Sequence, residues 1–516
     1  MYLITSGDYV NQELQTEFGK IPPAFLPVQN KRLFNHQLKI IPSEEKVYLS
    51  IPATYCINDK DKFDLRERNV TILSVPEGLT LGQSIVYVLN LIGKYDQVLK
   101  IIHGDTLFDK IDFSADIFII SNTTDNYAWA YTKPSTQESL VYAGFFSFSK
   151  QQELIKLILE NNYDFIKAIT QYKKFHKIVE INLKNWYDFG HLNTYYRSKS
   201  FLTTQREFNN LYVNNQVVRK VSNEKNKILA EANWFKKIPQ KLKVFTPQIY
   251  NSGENSGSAF YEIEYLYLST LSELFVFGNN HPFIYTNILK ACQYFIDSCY
   301  KFQVKGEIAP TMLNNSIYYP KTRARLLDFS KQTNIDLEKP FILNDEEYPS
   351  LLQIAEVTSK LIKPLKGEEI CVIHGDFCFS NILYDFRTQN IKVVDPRGLS
   401  PDGEVTIYGD IRYDIAKLAH SVIGLYDHIV AQYFGLVEIE PYKYKFELFT
   451  NETTQIIQDR FIQMRFIEKT LEELDTFPIL AQLFLSMLPL HNDNKIRQKA
   501  LMLNALRMYK LCKHTI

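Results

Sequence analysis

Cysteine is scarce in this chain of 516 residues, and its six cysteines are scattered. No two of them form a Cys-x-x-Cys pair, which argues against the common structural zinc motifs. We therefore expect reduced thiols, as in a cytoplasmic enzyme. The six positions are Cys56, Cys292, Cys299, Cys371, Cys378 and Cys512.

Long hydrophobic runs are absent as well. No uninterrupted apolar stretch approaches the roughly 20 residues that span a bilayer. The opening MYLITSGDYV does not have the basic region and apolar core of a signal peptide. The sequence thus predicts a cytoplasmic protein with no membrane span.

Neither sign of charge is in excess, because 58 Lys and Arg balance 58 Asp and Glu. A neutral chain exerts no broad attraction on nucleic acid or anionic lipid, so we expect no nucleic-acid partner. A content of 45% hydrophobic and 22% charged residues is typical of a globular protein. The length exceeds what one core normally holds, which predicts two or three domains.

The first 180 or so residues alternate short apolar strands with helical stretches. This alternation predicts an α/β domain with a Rossmann-like, parallel or mixed sheet and flanking helices. Its predicted helices include Leu81–Ile92 and Lys150–Glu160. Its predicted strands are Tyr2–Thr5, Lys46–Ile51, Val70–Val75, Gln97–Ile102, Ile117–Ser121 and Val141–Ser147.

The pattern changes after about Arg197, and we place the boundary between a domain of residues 1–198 and a domain of residues 199–516. Leu211–Val221 predicts a β-hairpin. A helix that Ser222 or Asn223 can cap follows, and Pro239 ends it. A further strand is predicted at residues 260–266, and most of the remaining chain has the pattern of amphipathic helix.

A short apolar strand, CVIHGD, ends in a turn at Asp376, and Asn381 follows five residues later. The next apolar strand, Ile391–Val394, ends at Asp395. The sequence thus offers a carboxylate, a carboxamide and a second carboxylate at strand ends. Phosphoryl transfer from ATP needs such groups: one carboxylate to orient a hydroxyl and accept its proton, and two oxygen ligands for Mg²⁺.

This H-G-D-x4-N pattern resembles the catalytic loop of the aminoglycoside phosphotransferase and choline kinase family, small-molecule relatives of the protein kinases. The resemblance implies a protein-kinase-like α+β domain with a small β-rich N-lobe (about 199–268) and a large helical C-lobe (about 269–516). It also implies that Asp376 is the catalytic base and that Asn381 and Asp395 bind Mg²⁺. His374 would brace the loop.

Other parts of such a kinase can be matched upstream. Lys220, on the strand QVVRKV, would hold the ATP phosphates, and Glu231 in the following helix would pair with it. Glu264 to Leu266 resemble the adenine-binding hinge. The alternative for Lys220 and Glu231 is an ordinary surface ion pair, and Arg219 is the weaker candidate for the phosphate-binding cation.

Two features depart from the kinase pattern. No glycine-rich phosphate loop can be located, since residues 198–210 contain no glycine. Asp395 is followed by Pro-Arg-Gly, so the activation switch of protein kinases is not expected. Asp410 and Asp414, downstream, are expected to tie loops to helices.

His-Gly-Asp also occurs earlier, in IHGDTLFD, but Lys110 stands where the kinase loop would have asparagine. This region resembles the sugar-phosphate nucleotidyltransferase (nucleotide-sugar pyrophosphorylase) family. The resemblance implies that Asp105 and Asp188, the latter in WYDFG, share one Mg²⁺, and that Lys133 contacts a sugar phosphate.

The nucleotidyltransferase pattern is degenerate. The signature G-x-G-x-R is reduced to Ser6-Gly7-Asp8, the lysine of the family's Pro-Lys pair is Pro23, and no arginine precedes Arg32. Departure of pyrophosphate builds negative charge that preorganised cations normally stabilise. A domain that binds a sugar nucleotide or only organises the kinase is therefore the alternative.

Together these features predict an ATP- and Mg²⁺-dependent kinase acting on a hydroxyl of a sugar, polyol or amino alcohol. By resemblance, its nucleotidyltransferase-like partner suits bacterial capsule or lipopolysaccharide biosynthesis. One alternative is a bifunctional enzyme that also uses CTP or UTP to make an NDP- or CDP-linked donor. A non-catalytic nucleotide-binding scaffold is another, and a protein kinase is a minor third. Acceptor determinants are expected in residues 269–353.

Overall fold

In a computed structural model of the chain, the described residues are 1–110, 114–123, 125, 127, 139–202, 209–214, 216–255, 257–304 and 318–513. The chain divides into two compact units. The first consists of Met1–Leu202 with Phe277–Asn279, and the second of Thr203–Val276 with Asn280–Ile516. None of the helices in the described ranges is long and apolar enough to cross a bilayer.

The first unit contains the following strands: β1 (Tyr2–Thr5), β2 (Pro27–Val28), β3 (Lys31–Arg32), β4 (Val47–Pro52), β5 (Val70–Val75), β6 (Leu99–His103), β7 (Thr106–Phe108), β8 (Ile117–Thr123), β9 (Ser139–Phe148), β10 (Val179–Asn182) and β11 (Trp186–Asp188). Its helices are α1 (Gln12–Phe18), α2 (Leu33–Ile40), α3 (Asp59–Glu67), α4 (Leu81–Ile92), α5 (Gln151–Glu160), α6 (Phe165–Phe175) and α7 (Leu192–Phe201), with a 3-10 turn at Pro23–Phe25.

A seven-stranded sheet in the order β10-β8-β9-β6-β1-β4-β5 forms the centre of this unit. Strand β1 runs parallel to β4 and β6, β4 is parallel to β5, and β10 is parallel to β8. Only β9 runs antiparallel to its neighbours β6 and β8 within this sheet. The predicted α/β domain with a mixed sheet is confirmed.

Apolar side chains cover both faces of this sheet, as expected for strands buried between helices. Leu3 points into one core with α4, α5 and α6, whereas its neighbours Tyr2 and Ile4 point into a second core with α2 and α3. The side chains alternate between faces because successive residues of a strand face opposite ways. The unit is thus a three-layer sandwich.

The second unit contains the following strands: β12 (Asn209–Val213), β13 (Val217–Ser222), β14 (Ile249–Asn255), β15 (Ser258–Glu264), β16 (Ser269–Thr270), β17 (Phe341–Leu343), β18 (Glu346–Tyr348), β19 (Ile370–Val372), β20 (Ile382–Asp385), β21 (Asn390–Val393), β22 (Tyr408–Asp410), β23 (Phe434–Glu440) and β24 (Lys443–Leu448). Its helices are α8 (Lys225–Lys237), α9 (Leu271–Phe277), α10 (Pro282–Tyr300), α11 (Tyr319–Thr333), α12 (Leu351–Leu361), α13 (Ile411–Val422), α14 (Tyr426–Val430), α15 (Glu452–Ile462), α16 (Thr476–Met487) and α17 (Lys495–Lys513), with 3-10 turns at Gln240–Phe245, Gly367–Glu369, Phe379–Asn381 and Leu488–His491.

The antiparallel sheet β12-β13-β15-β14 and helix α8 form a small lobe, as predicted. The predicted side-chain cap of α8 is wrong. The N-cap residue is Glu224, and it makes no side-chain cap bond. Ser222 is the last residue of β13, so it lies before the cap position. Its Oγ accepts a hydrogen bond from the N–H of the N-cap residue Glu224 and not from an N–H inside the helix.

The larger lobe is built around α16. Every residue from Thr476 to Ser486 is buried, and the helix packs against α11, α12, α13 and α17. A helix that is apolar on all sides is expected only at the centre of a bundle. The predicted kinase-like architecture, with a β-rich small lobe and a helical large lobe, is confirmed.

The interpretation of the large lobe as almost purely helical was incomplete. A four-stranded sheet, β18-β17-β24-β23, lies within it. Two of its strands have only three residues each, which is too short for a periodic signal. The turn that joins these two strands, Asn344-Asp345, has positive φ at both residues. Neither residue is glycine, so the usual sequence signal for such a turn is missing.

Gly398 fixes how closely the loop after Asp395 approaches helix α8. Its φ is 65°, and an added Cβ would lie 2.2 Å from the carbonyl oxygen of Ala230, the residue before Glu231. Gly403, in the same loop, has a φ of 86° but no atom within 4 Å of an added Cβ. Both glycines therefore require a left-handed backbone conformation, but only Gly398 is in close contact with another part of the chain.

Replacing Gly398 by alanine should separate the loop from α8 and destabilise the second unit. Gly403→Ala should cost only the left-handed backbone penalty, roughly 1–2 kcal/mol. Gly398→Ala should cost about 1–3 kcal/mol more, because extra atoms enter a packed site. Urea unfolding of both variants measures the difference, and equal loss of stability would show that the contact with Ala230 does not matter.

Candidate active site

Short strands of the large lobe bring the His-Gly-Asp loop and Asp395 together. Strands β20 and β21 pair as an antiparallel hairpin, and the Val394 N–H donates to the Asn381 carbonyl at 3.0 Å. Asn381 ends a 3-10 turn just before β20, and Asp395 follows β21. The two predicted metal ligands thus stand at adjacent strand ends.

Asp376 is held by two side chains. The Lys417 ammonium lies 2.7 Å from its Oδ1, and Asn381 Nδ2 donates to its Oδ2 at 3.0 Å. Burial alone would raise the pKa of the Asp376 carboxyl, but Lys417 and Arg397 outweigh it and hold the pKa well below its usual range. The side chain is 37% exposed, so an ionised carboxylate faces the solvent-accessible side of the loop.

His374 and Asp414 fix the backbone of the loop. His374 Nε2–H donates to the Val394 carbonyl at 3.0 Å, and its Nδ1 accepts from the Asp376 N–H at 3.3 Å. Burial lowers the pKa of His374 to about 4, so the ring is neutral and fits this tautomer. Asp414 accepts the N–H groups of His374 and Gly375 at 2.6 and 2.8 Å.

Lys220 lies between two carboxylates. Its Nζ is 2.7 Å from Glu231 Oε2 and 3.1 Å from Asp395 Oδ1, and the side chain is only 7% exposed. Burial alone would lower the pKa of Lys220, but Asp395 and Glu231 outweigh it and raise the pKa. The pair is therefore buried, which argues against the alternative of an ordinary surface ion pair.

Arg219 points away from this cluster, as predicted for the weaker candidate. It pairs with Glu262 at 3.0 Å and stacks on the Phe260 ring. The hinge residues follow the same sheet: Glu264 ends β15 opposite Val217, and the Leu266 carbonyl accepts from the Leu268 N–H. They stand at the end of the strand beside the one that carries Lys220.

The sequence interpretation missed four groups of this site. Tyr261 OH donates to Glu231 Oε2 at 3.0 Å and to Asp395 Oδ1 at 3.3 Å. Trp234 Nε1 donates to the Ile373 carbonyl at 2.6 Å. A signal existed for Tyr261, because pairing β13 with β15 places it opposite Lys220. No sequence signal pointed to Lys417 or Arg397, because only the tertiary fold brings them near Asp376.

The donors at Asn381 and Asp395 fit Mg²⁺. Asn381 Nδ2 donates to the Asp376 backbone carbonyl and carboxylate, both at 3.0 Å, which orients the amide and leaves Oδ1 as the ligand atom. Asp395 already lies against the Lys220 cation. An amide oxygen and a carboxylate on neighbouring strand ends are ligands that this hard cation prefers.

In the first unit, Asp105 and Asp188 converge on Gly190. An added Cβ at Gly190 would lie 2.6 Å from Asp105 Oδ2 and 3.2 Å from Asp188 Oδ1. Burial, together with Asp188, raises the pKa of Asp105 to about 7. Two carboxylates so close are stabilised by a cation or a shared proton, so they fit the single Mg²⁺ expected there.

A polar pocket of about 220 Å³ adjoins Asp188. Tyr127 OH, which the sequence did not single out, donates to Asp188 Oδ2 at 2.5 Å, and Gly190 N–H donates to Oδ1 at 2.9 Å. Arg197 also lines the pocket and is paired with Asp125 at 2.6 Å. In the described ranges, no group of three or more His, Cys, Asp or Glu converges on a metal position.

Among the described residues of the first unit, the cations expected to neutralise nucleotide phosphates are not assembled at this site. Lys133 lies outside the described residues. Pro23 begins a 3-10 turn, and Arg32, the first arginine of the chain, is buried. Arg32 donates to Asp61 Oδ2 at 3.0 Å and to the Phe25 carbonyl at 2.9 Å, so it serves the core of the unit.

No protein-family model matches the chain, and no curated protein matches it significantly. Among solved structures, it is similar to a protein assigned as a glucose-1-phosphate thymidylyltransferase from Bacillus anthracis, at 11% identity over 40% of this chain and 96% of that one, with a TM-score of 0.33.

The chain is also similar to a type VIII aminoglycoside-3'-phosphotransferase, at 16% identity over 55% of this chain and 96% of that one, with a TM-score of 0.32. A thermostable mutant of the aminoglycoside phosphotransferase APH(4)-Ia, solved with AMP-PNP and hygromycin B, matches at 12% identity over 60% of this chain and 92% of that one, with a TM-score of 0.36.

Both families suggested by the sequence motifs are therefore represented among the matching structures, so the two-part resemblance is confirmed. With identities below 25% and TM-scores below 0.5, these likenesses are no measure of activity. The function has to be inferred from the site geometry.

Removing the Lys417 charge should change the pH dependence of ATP turnover. In Lys417→Met the pKa of Asp376 should rise towards its ordinary value, because the closest cation is lost. The acidic limb of the kcat/KM profile should then move to higher pH. Lys331→Met, which removes a 79% exposed lysine, is the control. An unchanged acidic limb in Lys417→Met would refute the electrostatic role.

Proposed function

We propose that the second unit transfers the γ-phosphoryl group of ATP to a hydroxyl of a small molecule such as a sugar, polyol or amino alcohol. The observation that carries this proposal is the cluster in which Lys220 contacts both Glu231 and Asp395, beside the linked pair Asp376 and Asn381. A cation for phosphates, oxygen ligands for Mg²⁺ and an exposed carboxylate for the acceptor are thereby combined.

Asp376 orients the acceptor hydroxyl and receives its proton. Its pKa lies below the usual range, so it is ionised at neutral pH but is a weak base. A weak base suffices, because phosphoryl transfer proceeds through a loose transition state in which positioning and charge stabilisation dominate. The hydrogen bond from Asn381 and the ion pair with Lys417 fix the direction of the carboxylate.

Lys220 holds the phosphates of ATP, and Glu231 and Tyr261 keep its ammonium in place. Mg²⁺ on Asn381 and Asp395 would neutralise charge on the β- and γ-phosphates. The backbone of Glu264 to Leu266 receives the adenine. In this proposal the two units correspond to two functional domains, with the boundary near residues 198 and 199.

Asp376→Asn should abolish turnover while leaving the fold intact, and Asp395→Asn should abolish it by removing a ligand of Mg²⁺. Loss of a positioned acid–base group typically lowers kcat by about 10²–10⁴-fold. The measurement is ADP formation from ATP and Mg²⁺ with a panel of hydroxylated acceptors. Asp402→Asn, in an exposed loop, is the matched control and should keep wild-type activity. Wild-type ADP formation by Asp376→Asn would refute the proposal.

A second activity is favoured by the convergence of Asp105 and Asp188 beside a polar pocket. The first unit would then use CTP or UTP to convert a sugar phosphate into a nucleotide-linked donor. A kinase creates a phosphomonoester and a nucleotidyltransferase activates one, so fusion raises the local concentration of the shared intermediate. Such a pair would suit the synthesis of capsule or lipopolysaccharide.

This second activity predicts release of pyrophosphate from CTP or UTP in the presence of sugar 1-phosphates. Asp105→Asn should abolish the release, because it removes one of the two carboxylates, and Asp376→Asn should spare it. Coupled detection of pyrophosphate provides the measurement. If the wild-type protein releases no pyrophosphate with any combination of nucleotide and sugar 1-phosphate, the first unit is a binding domain. If the protein also forms no ADP in the acceptor panel, it is a non-catalytic scaffold.

A further inference from the structure

Four cationic side chains surround Tyr413 next to Asp376. Lys321 and Arg325 lie one turn apart on α11, Lys417 lies one turn after Tyr413 on α13, and Arg397 lies in the loop after Asp395. We call Lys321, Arg325 and Arg397 the cationic cluster. Lys417 is set apart because it is already paired with Asp376.

Direct contacts place these elements together. Arg397 Nη2 donates to Tyr413 OH at 2.8 Å, and its guanidinium carbon lies 4.8 Å from the centre of that ring. The Tyr413 ring in turn packs at 6.5 Å from Tyr318, which immediately precedes α11. Lys321 and Arg325 follow on that helix and interact electrostatically with Tyr413 and Arg397.

In the described part of the chain, no Asp or Glu lies within ion-pair distance of Lys321, Arg325 or Arg397. Arg325 donates to the Ser486 carbonyl, and Asp414 is occupied by backbone N–H groups of the loop. Arg412, on the same helix as Tyr413, differs in being paired with both Asp410 and Asp475.

Lys321 and Arg325 are destabilised as cations at this position, because burial and the neighbouring cations lower the pKa of each. Burial, with added repulsion from Arg397, Arg325 and Lys417, lowers the pKa of Lys321 to about 8. Arg397, Lys417 and Lys321 overcome the effect of burial on Tyr413 and lower its pKa to about 8. Both effects indicate a positive potential beside the reacting hydroxyl position, which an anion would relieve.

We propose that the cationic cluster binds an anionic group of the phosphate acceptor, so that the acceptor is a small hydroxylated molecule carrying a phosphate or carboxylate. This proposal rests on the proposed kinase function and restricts its acceptor to anionic molecules. Guanidinium groups bind such anions through paired hydrogen bonds, and the neighbouring hydroxyl then faces Asp376. A cationic amino alcohol would be repelled at the same position.

Calorimetric titration of the full chain with inorganic phosphate tests the subsite directly. A saturating non-hydrolysable ATP analogue with Mg²⁺ fills the nucleotide site beforehand. The wild-type protein should bind phosphate, and Lys321→Gln/Arg325→Gln should weaken the Kd by about tenfold or more, or roughly 1.4 kcal/mol. Arg323→Gln/Lys331→Gln removes the same charge from the exposed face of α11 and should bind like the wild type.

Two readouts separate binding from folding and from catalysis. Thermal unfolding of Lys321→Gln/Arg325→Gln should be unchanged or shifted upwards, because repulsion is removed. In the acceptor panel, glycerol 3-phosphate and glucose 6-phosphate should give higher kcat/KM than glycerol and glucose, and the double variant should raise KM for the anionic members without raising KM for ATP.

Absence of phosphate binding by the wild type, or equal binding by the double variant, would overturn the subsite whichever acceptors are phosphorylated. Equal kcat/KM for the neutral and anionic members of each pair would also overturn it. ATP turnover that survives in Asp376→Asn would refute the kinase proposal instead, and would leave the phosphate titration unaffected.

Discussion

The second unit depends on one buried ammonium. Lys220 comes from a strand of the small lobe, Glu231 from the adjoining helix, and Asp395 from the loop after the hairpin of the large lobe. At 7% exposure the lysine has little water to solvate it, so both carboxylates are needed to keep it charged. One interaction therefore joins a strand and the following helix of the small lobe to a loop of the large lobe, and Tyr261 adds a second strand of the small lobe.

Around that ammonium, the loop that carries Asp376 is held by hydrogen bonds from buried groups. Neutral His374 joins the Val394 carbonyl to the Asp376 N–H, Asp414 takes two further loop N–H groups, and Trp234 binds the Ile373 carbonyl. These bonds satisfy buried backbone atoms that the loop itself cannot pair. Preorganisation of Asp376 is thus distributed over a helix of each lobe.

The sequence predicted most of the fold because its strands and helices are periodic. Strands β1 and β5 and helix α4 begin and end where predicted. Of the motif residues named for the second unit, Lys220 contacts Glu231 and Asp395, and Asn381 is hydrogen-bonded to Asp376. Short strands such as Phe341–Leu343 carry no period, so their sheet was missed. The positions of Lys417 and the cationic cluster beside Asp376 could not be predicted, since they arise from packing of α11, α13 and the loop after Asp395 and not from any local pattern.

The contact at Gly398 restricts how helix α8 can move. The glycine already touches the Ala230 carbonyl with nothing larger than a hydrogen atom between them, so the helix and the loop cannot come closer. Displacement of the helix towards this loop is therefore blocked, whereas displacement away from it is not. The glycine acts as a one-sided mechanical stop that sets the innermost position of the helix.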